Sequence, residues 1–167
     1  MTKSFKTLEG GCSCGHLRYE LVSEPLIVHC CHCRFCQRQT GTAFALNALF
    51  EAVYVKVLKG DVSETLVPSP SGKGQKIARC PICEIAVWSN YYMGGIRDAI
   101  RFIRVGTLDE PDHLPPNVHI FTETKQPWVV LPENDLAVDV FYDYEKVWSK
   151  KNFKRRKELL ALVKDIG

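Results

Sequence analysis

Four of the eight cysteines in this chain lie within seven residues, Cys30-Cys31-His32-Cys33-Arg34-Phe35-Cys36. The other four form two pairs, Cys12-Ser13-Cys14 before that segment and Cys80-Pro81-Ile82-Cys83 after it. Few folds accommodate thiols at this density unless the sulfurs converge on metal ions or on one another. C-x-C and C-x-x-C spacings suit tetrahedral zinc, which commonly takes a pair of ligands from one tight turn. They suit long-range disulfides poorly, because bridge geometry is specific and close neighbours compete for it. An oxidised, extracellular disulfide framework is the competing reading of the cysteine count.

The two outer pairs supply four thiols. Cys12, Cys14, Cys80 and Cys83 therefore fit a closed structural zinc site that ties the start of the chain to its middle, with Gly15 letting the backbone turn behind the first pair. The central segment is different. Cys31, Cys33 and Cys36 supply three ligands, and three ligands leave a fourth position for water or substrate. Spacing alone is equally compatible with a second closed site, completed by Cys30, His29, His32 or a distant histidine. Cys30 is a poor chelate partner for Cys31, because adjacent side chains of an extended segment point apart.

The remaining chemistry-bearing residues carry weaker signals. His16, His113 and His119 are isolated in the sequence and read as hydrogen-bonded structural histidines. Arg18, Arg34, Arg38 and Arg79 flank the cysteine segments. They are either surface charge or cations that offset thiolate charge and hold an anionic ligand. Trp88 and Trp128 read as core. Gly41, Thr42 and Phe44 are candidates for a wall of the open site. Pro68 to Gly74 carries Gly and Lys without the phosphate-loop spacing, and reads as a solvated loop.

Between these segments the pattern is that of short strands. Leu17, Tyr19 and Leu21 alternate with Arg18, Glu20 and Val22. Leu26-Ile27-Val28 runs into the central cluster, and Gln37 to Gly41 reads as a helical turn closed by glycine. Further strands are expected over Ala43 to Val53, around Val55 and Val57, and over Ile85 to Trp88, Ile100 to Val105 and Val118 to Phe121. Residues 1–11 read as a lead-in ending in a Gly-Gly turn, and Pro127-Trp128 as the start of a last extended stretch. The expected fold is mostly β: several short antiparallel sheets organised around two zinc sites, with a C-terminal helix.

Two segments are expected, a zinc domain over 1–145 and a basic amphipathic tail over 146–167. The net charge is only +3. Lys146 to Gly167 holds eight Lys/Arg and two acidic residues, leaving the rest with 14 basic and 17 acidic side chains. The body is thus mildly acidic, and a nucleic-acid role for it is not expected. The first residues have no apolar core of signal-peptide length, and no window approaches a membrane span. The expected setting is cytoplasmic, with no membrane partner.

One ordered set of motifs is familiar. Gly11-Cys12-Ser13-Cys14-Gly15 with Arg18-Tyr19 comes first, then Cys31-His32-Cys33-Arg34-Phe35-Cys36-Gln37-Arg38 with Gly41 and Phe44. Cys80-Pro81-Ile82-Cys83, Pro116-Asn117-Val118-His119-Ile120 and Lys125-Gln126-Pro127-Trp128 follow. The set resembles the family of glutathione-dependent formaldehyde-activating enzymes and centromere protein V, over about Leu8 to Trp128.

The resemblance implies a fold of short sheets, similar to a small Rab accessory protein, with two zinc ions. Cys12, Cys14, Cys80 and Cys83 would hold the structural ion, and Cys31, Cys33 and Cys36 the catalytic one. It also implies a carbon–sulfur lyase whose enzyme joins formaldehyde to glutathione, giving S-hydroxymethylglutathione. With an open site at Cys31, Cys33 and Cys36, Arg34 or Arg38 is expected to hold a glutathione carboxylate. The family usually has glycine after the second C-x-x-C, where this chain has Glu84. The alternative is a non-catalytic, zinc-stabilised binding module for nucleic acid or a protein partner. A third reading, a redox or metal-handling protein, would use Cys30.

Overall fold

The alternation at Leu17, Tyr19 and Leu21 becomes strand β2 (Arg18–Leu21), with Tyr19 and Leu21 fully buried. The strand lies between β1 (Leu8–Gly11) and β5 (Val55–Lys59) in a small antiparallel sheet of order β1-β2-β5. These observations come from a computed structural model that describes residues 5–92 and 95–164.

The lead-in expected over 1–11 is thus a strand in its C-terminal part. Its glycines are required by close approach. A Cβ on Gly10 would stand 2.6 Å from the Thr107 carbonyl oxygen, and one on Gly11 would stand 2.3 Å from that of Leu17. The small sheet can therefore pack tightly just ahead of the first cysteine pair.

The second sheet has seven strands. In chain order they are β3 (Ile27–Cys31), β4 (Ala45–Glu51), β6 (Ser63–Val67), β7 (Gln75–Arg79), β8 (Ala86–Tyr91), β9 (Ile100–Arg104) and β10 (Val118–Ile120). Their spatial order is β10-β3-β4-β9-β8-β7-β6. Neighbours are antiparallel except β10 and β3, which run parallel with His119 opposite Cys30.

Each face of this sheet has its own core. Val28, Ala48, Phe50, Trp88 and Ile103 pack with Tyr19, Leu21 and Val55 of the small sheet. On the other face Ile27, Cys31, Ala45, Leu49 and Ile100 pack with Cys36, Tyr142 and Trp148. Side chains alternate along a strand, so β3 sends Cys30 and Cys31 to opposite faces. The cysteine groups are therefore distributed on two sides of one sheet.

Helix α1 (Arg34–Thr40) follows β3 directly. Gly41 ends it with φ 69°, donating its N–H to the Gln37 carbonyl, the left-handed closure that glycine adopts without strain. The stretch from Pro127 does not form a long strand. It runs alongside edge strand β10 of the large sheet as an irregular strap, with His119 N–H donating to the Leu136 carbonyl and Val138 N–H to that of His119.

The tail forms α2 (Tyr144–Val147) and α3 (Lys150–Lys164), with Trp148 buried between them. The Trp148 indole N–H donates to the Tyr142 oxygen (2.7 Å), and the Tyr142 hydroxyl donates to His29 Nε2. Burial holds His29 down to about 3, so the ring is a neutral acceptor. Asn152 donates to the Leu26 carbonyl (2.9 Å). Arg155 grips Glu51 with both Nε (2.8 Å) and an Nη (2.6 Å). The basic helix is docked on the body, and one of its arginines is spent in the interface.

Candidate metal centres and the adjoining cleft

The outer cysteine pairs meet. The sulfurs of Cys12, Cys14, Cys80 and Cys83 lie within 4.8 Å of one another, with Cys12 to Cys14 at 3.5 Å and Cys14 to Cys80 at 3.7 Å. Backbone N–H groups point at the sulfurs, Leu17 to Cys12 (3.3 Å) and Ile82 to Cys80 (3.4 Å). Such donors favour thiolates. Burial pushes Cys12 up, but the Leu17 N–H and the neighbouring thiols outweigh it and bring Cys12 down to about 6. The Ile85 N–H holds Cys83 below the ordinary thiol value. Cys14 moves the other way. The His16 N–H lowers it, but burial and its three thiol neighbours push it up to about 11. Four sulfurs at this separation, backed by N–H donors and with no carboxylate in the group, fit one tetrahedral zinc ion.

Glu84 closes the second knuckle with φ 61°, the left-handed conformation usually left to glycine. Its N–H donates to the Cys80 carbonyl (3.0 Å), and the Cys80 N–H to that of Ile85 (3.0 Å). The turn is therefore made with a strained residue in place of glycine. Glu84→Gly is expected to raise the melting temperature by about 1–2 °C. It removes about 1 kcal/mol of left-handed strain, partly offset by the greater freedom of glycine in the unfolded chain. A calorimetric scan of both proteins checks this, and a lower melting point would contradict it.

Cys31, Cys33 and Cys36 form a second group with all three sulfurs within 4.8 Å. β3 delivers Cys31, and α1 delivers the other two: Cys33 is its N-cap, and the Cys36 N–H donates to the Cys33 sulfur (3.3 Å). Hydrogen bonds from the Cys31 and Cys36 thiols hold Cys33 down to about 3. The Cys31 thiol lowers Cys36, but the Cys33 thiolate and burial prevail and push Cys36 up to about 12. Hydrogen bonding to Cys33 and Cys36, together with burial, likewise pushes Cys31 up. Without a cation the cluster thus supports one thiolate. Three thiols gathered so closely, with no acidic oxygen in the group, suit a divalent ion that prefers sulfur.

The histidines named for a fourth ligand lie elsewhere. His29 is engaged with Tyr142, and His32 turns to Cys30 and His119. His16 pairs with Asp61 (2.8 Å), and His113 lies 3.4 Å from Glu110. His119, isolated in the sequence, is not isolated in space. Arg18 is committed to Asp109 (2.8 Å) and Glu9 (3.2 Å).

Two residues at the triad escaped the sequence reading. Tyr91 on β8 is pushed up by burial and by the nearby cysteine charges, so its hydroxyl stays protonated. The Arg104 guanidinium, donating to Asn47 (2.9 Å), exerts its charge on Cys36 and Cys31. Both lie on strands that reach the triad only through β4 and β9. The one local hint was an arginine ending the strand Ile100–Arg104, three residues after Arg101.

Along α1, the helix that carries Cys36, runs an open cleft of about 630 Å3, lined by Arg34, Gln37, Arg38, Gly41, Thr42, Ala43, Gln126 and Trp128. Arg34 donates to Gln37 Oε1 (2.8 Å), whose amide nitrogen donates to the His32 (2.7 Å) and Thr124 (3.0 Å) carbonyls. Among the described residues neither Arg34 nor Arg38 pairs with a carboxylate. Trp128, read as core, is instead exposed on the rim. Phe44 stands edge-on to His32 and is partly exposed.

The two sheets define a mostly β protein whose cysteine groups could hold metal, with a cationic cleft along the helix that carries Cys36. The chain belongs to the glutathione-dependent formaldehyde-activating enzyme family, whose pattern matches residues 7–124. The match spans all eight cysteines and stops before the strap and the terminal helices. No curated protein matches the chain. A solved protein from Rhodobacter sphaeroides is 23% identical, over 60% of this chain and 87% of its own, with a TM-score of 0.46. Among the described residues no helix is long and apolar enough to cross a membrane.

Proposed function

We propose that the chain is a carbon–sulfur lyase-type enzyme that joins a thiol such as glutathione to formaldehyde or a related small aldehyde. The observation that carries this reading is the position of the cleft. Its two guanidiniums, Arg34 and Arg38, have no carboxylate partner among the described residues and stand on the same short helix that presents Cys33 and Cys36. Glutathione is a tripeptide with two carboxylates and one thiol. Two cations beside a thiol-binding centre match that pattern, and arginine takes carboxylates in bidentate fashion.

A zinc ion held by Cys31, Cys33 and Cys36 would supply a cation that lowers the pKa of the incoming thiol and leaves it a fourth position. The chain's own residues do the rest. Arg38 and Arg34 fix the carboxylates, and Gln37 steadies Arg34. The substrate thiol gives up its proton to solvent water and its sulfur attacks the aldehyde carbon. The C–S bond forms while the carbonyl π pair moves to oxygen, which takes a proton back from solvent, so that the thiol and aldehyde sum to the hydroxymethyl thioether with no net proton change. Tyr91, held protonated, is the neutral hydrogen-bond donor suited to that oxygen. The reverse sequence breaks the C–S bond and releases the aldehyde.

Adduct formation from glutathione and formaldehyde, followed by NMR, is expected to run faster with the protein than without it. A rate equal to the uncatalysed one would sink the reading. Arg38→Ala is expected to raise the KM for glutathione about tenfold, or about 1.4 kcal/mol, with little change in kcat. An unchanged KM would move the thiol substrate out of this cleft.

A further inference from the structure

The geometry points to a third metal site, on the other face of the sheet from the cysteine triad, made by Cys30, His32 and His119 and suited to a zinc-class divalent ion. Strand pleating builds it. Cys30 points away from Cys31, and His32, two residues on, returns to the side of Cys30. Parallel pairing of β10 with β3 sets His119 directly beside Cys30. The three donor atoms lie within 4.8 Å of one another, with Cys30 Sγ 3.5 Å from His32 Nε2 and His32 Nε2 3.0 Å from His119 Nδ1. Tetrahedral zinc bonded to nitrogen and sulfur has ligand–ligand edges of about 3.3–3.6 Å, from its bond lengths.

Protonation favours the same conclusion. His119 Nε2 lies 3.1 Å from Asp135 Oδ2, so that nitrogen carries the hydrogen and donates it. The lone pair of Nδ1 is then free and faces the cluster. A carboxylate behind the far nitrogen is the usual support of a metal-bound histidine. All three side chains are buried, His32 completely, and His32 Nδ1 has no hydrogen-bond partner. A hydrogen-bonded chain alone leaves the cluster poorly served. One ring proton shared between His32 and His119 leaves the Cys30 sulfur without a donor. A divalent ion engages both lone pairs and a Cys30 thiolate together. With Asp135 it also makes the group electrically neutral, which matters in a buried site.

This site does not depend on the chemistry proposed for the triad. The test loads the whole protein with cobalt and counts ions by elemental analysis after dialysis. Cys30→Ser and His119→Gln are each expected to bind one ion fewer than wild type. The wild-type-minus-variant absorption spectrum should carry the sulfur-to-cobalt band of a single thiolate, weaker than the band lost in Cys33→Ala. X-ray absorption on Cys33→Ala should still report imidazole nitrogen around cobalt. Equal cobalt counts in wild type, Cys30→Ser and His119→Gln would overturn the proposal and leave a hydrogen-bonded Cys–His–His cluster. If Cys30→Ser fails to fold, His119→Gln decides, because it keeps every thiol. Absence of nitrogen ligands in the Cys33→Ala spectrum would overturn it too.

Discussion

Cys80→Ser is expected to leave a chain that is largely unfolded at 25 °C. Cys80 is completely buried where the outer knuckles meet, and its sulfur stands 3.7 Å from that of Cys14. The knot joins the turn before β2 to the turn before β8, so it links the small sheet to the large one. Structural zinc contributes folding free energy on the order of 10 kcal/mol. A whole domain has a net stability of only about 5–15 kcal/mol. Losing one of four thiolates removes most of that contribution and leaves three crowded sulfurs behind. Near-UV circular dichroism and urea titration, with and without a zinc chelator, measure the effect. Cys33→Ala serves as control and should stay folded, because its triad draws on one strand and one helix already joined in sequence. A Cys80→Ser protein melting within a few degrees of wild type would mean that packing alone holds the two sheets together.

The second large effect is expected at Arg155, which lies in the segment read from the sequence as a basic amphipathic tail. Arg155→Ala should cost about 3 kcal/mol, the usual consequence of removing one partner from a buried ion pair. The side chains of Glu51 and Arg155 are 7% and 17% exposed, and the guanidinium also reaches Ser23 and the Glu24 carbonyl. Truncation leaves the Glu51 carboxylate buried at the end of β4 without its cation. Lys154→Ala, one position away and exposed, should change stability by less than about 0.5 kcal/mol. Replacing the pair together, as Glu51→Gln with Arg155→Met, should recover much of the loss, because no charge is then stranded. Chemical denaturation of the four proteins separates these outcomes. Equal stability of Arg155→Ala and Lys154→Ala would mean that the Glu51 pair does not hold the helix to the body.

What could be read from the chain follows the range of each interaction. The alternation at Tyr19 and Leu21, the left-handed closure at Gly41 and the pairing of cysteines two or three residues apart are local, and the structure contains them. Strand β1 was hidden because Gly10 and Gly11 carry no alternation; their glycines serve the close approach of Thr107 and Leu17. Edge strand β6 was hidden because its residues are mostly exposed and bury little to give a periodic signal. Tyr91 and Arg104 come to the triad through sheet order, which no spacing encodes. His119 looked solitary because its neighbour Cys30 is 89 residues away and meets it only through a parallel strand pair. Arg155 looked solvated because a run of lysines and arginines conceals which member turns inward. Glu84 shows the converse: a missing glycine did not change the turn, because the knuckle's backbone hydrogen bonds impose the conformation.

The pleat of β3 has an evolutionary corollary. Since Cys30 and Cys31 serve opposite faces, deleting or inserting a single residue between Ile27 and Cys31 would exchange the two thiols between compartments. Cys31 would then leave Cys33 and Cys36, and its position would fall to Cys30 or to His32, according to the direction of the slip. A purely apolar strand can absorb such a slip by repacking, whereas this one cannot. Metal loading would act as a checksum on strand register, and length variation in descendants of this chain should be confined to the loops, leaving the five residues of β3 fixed in number.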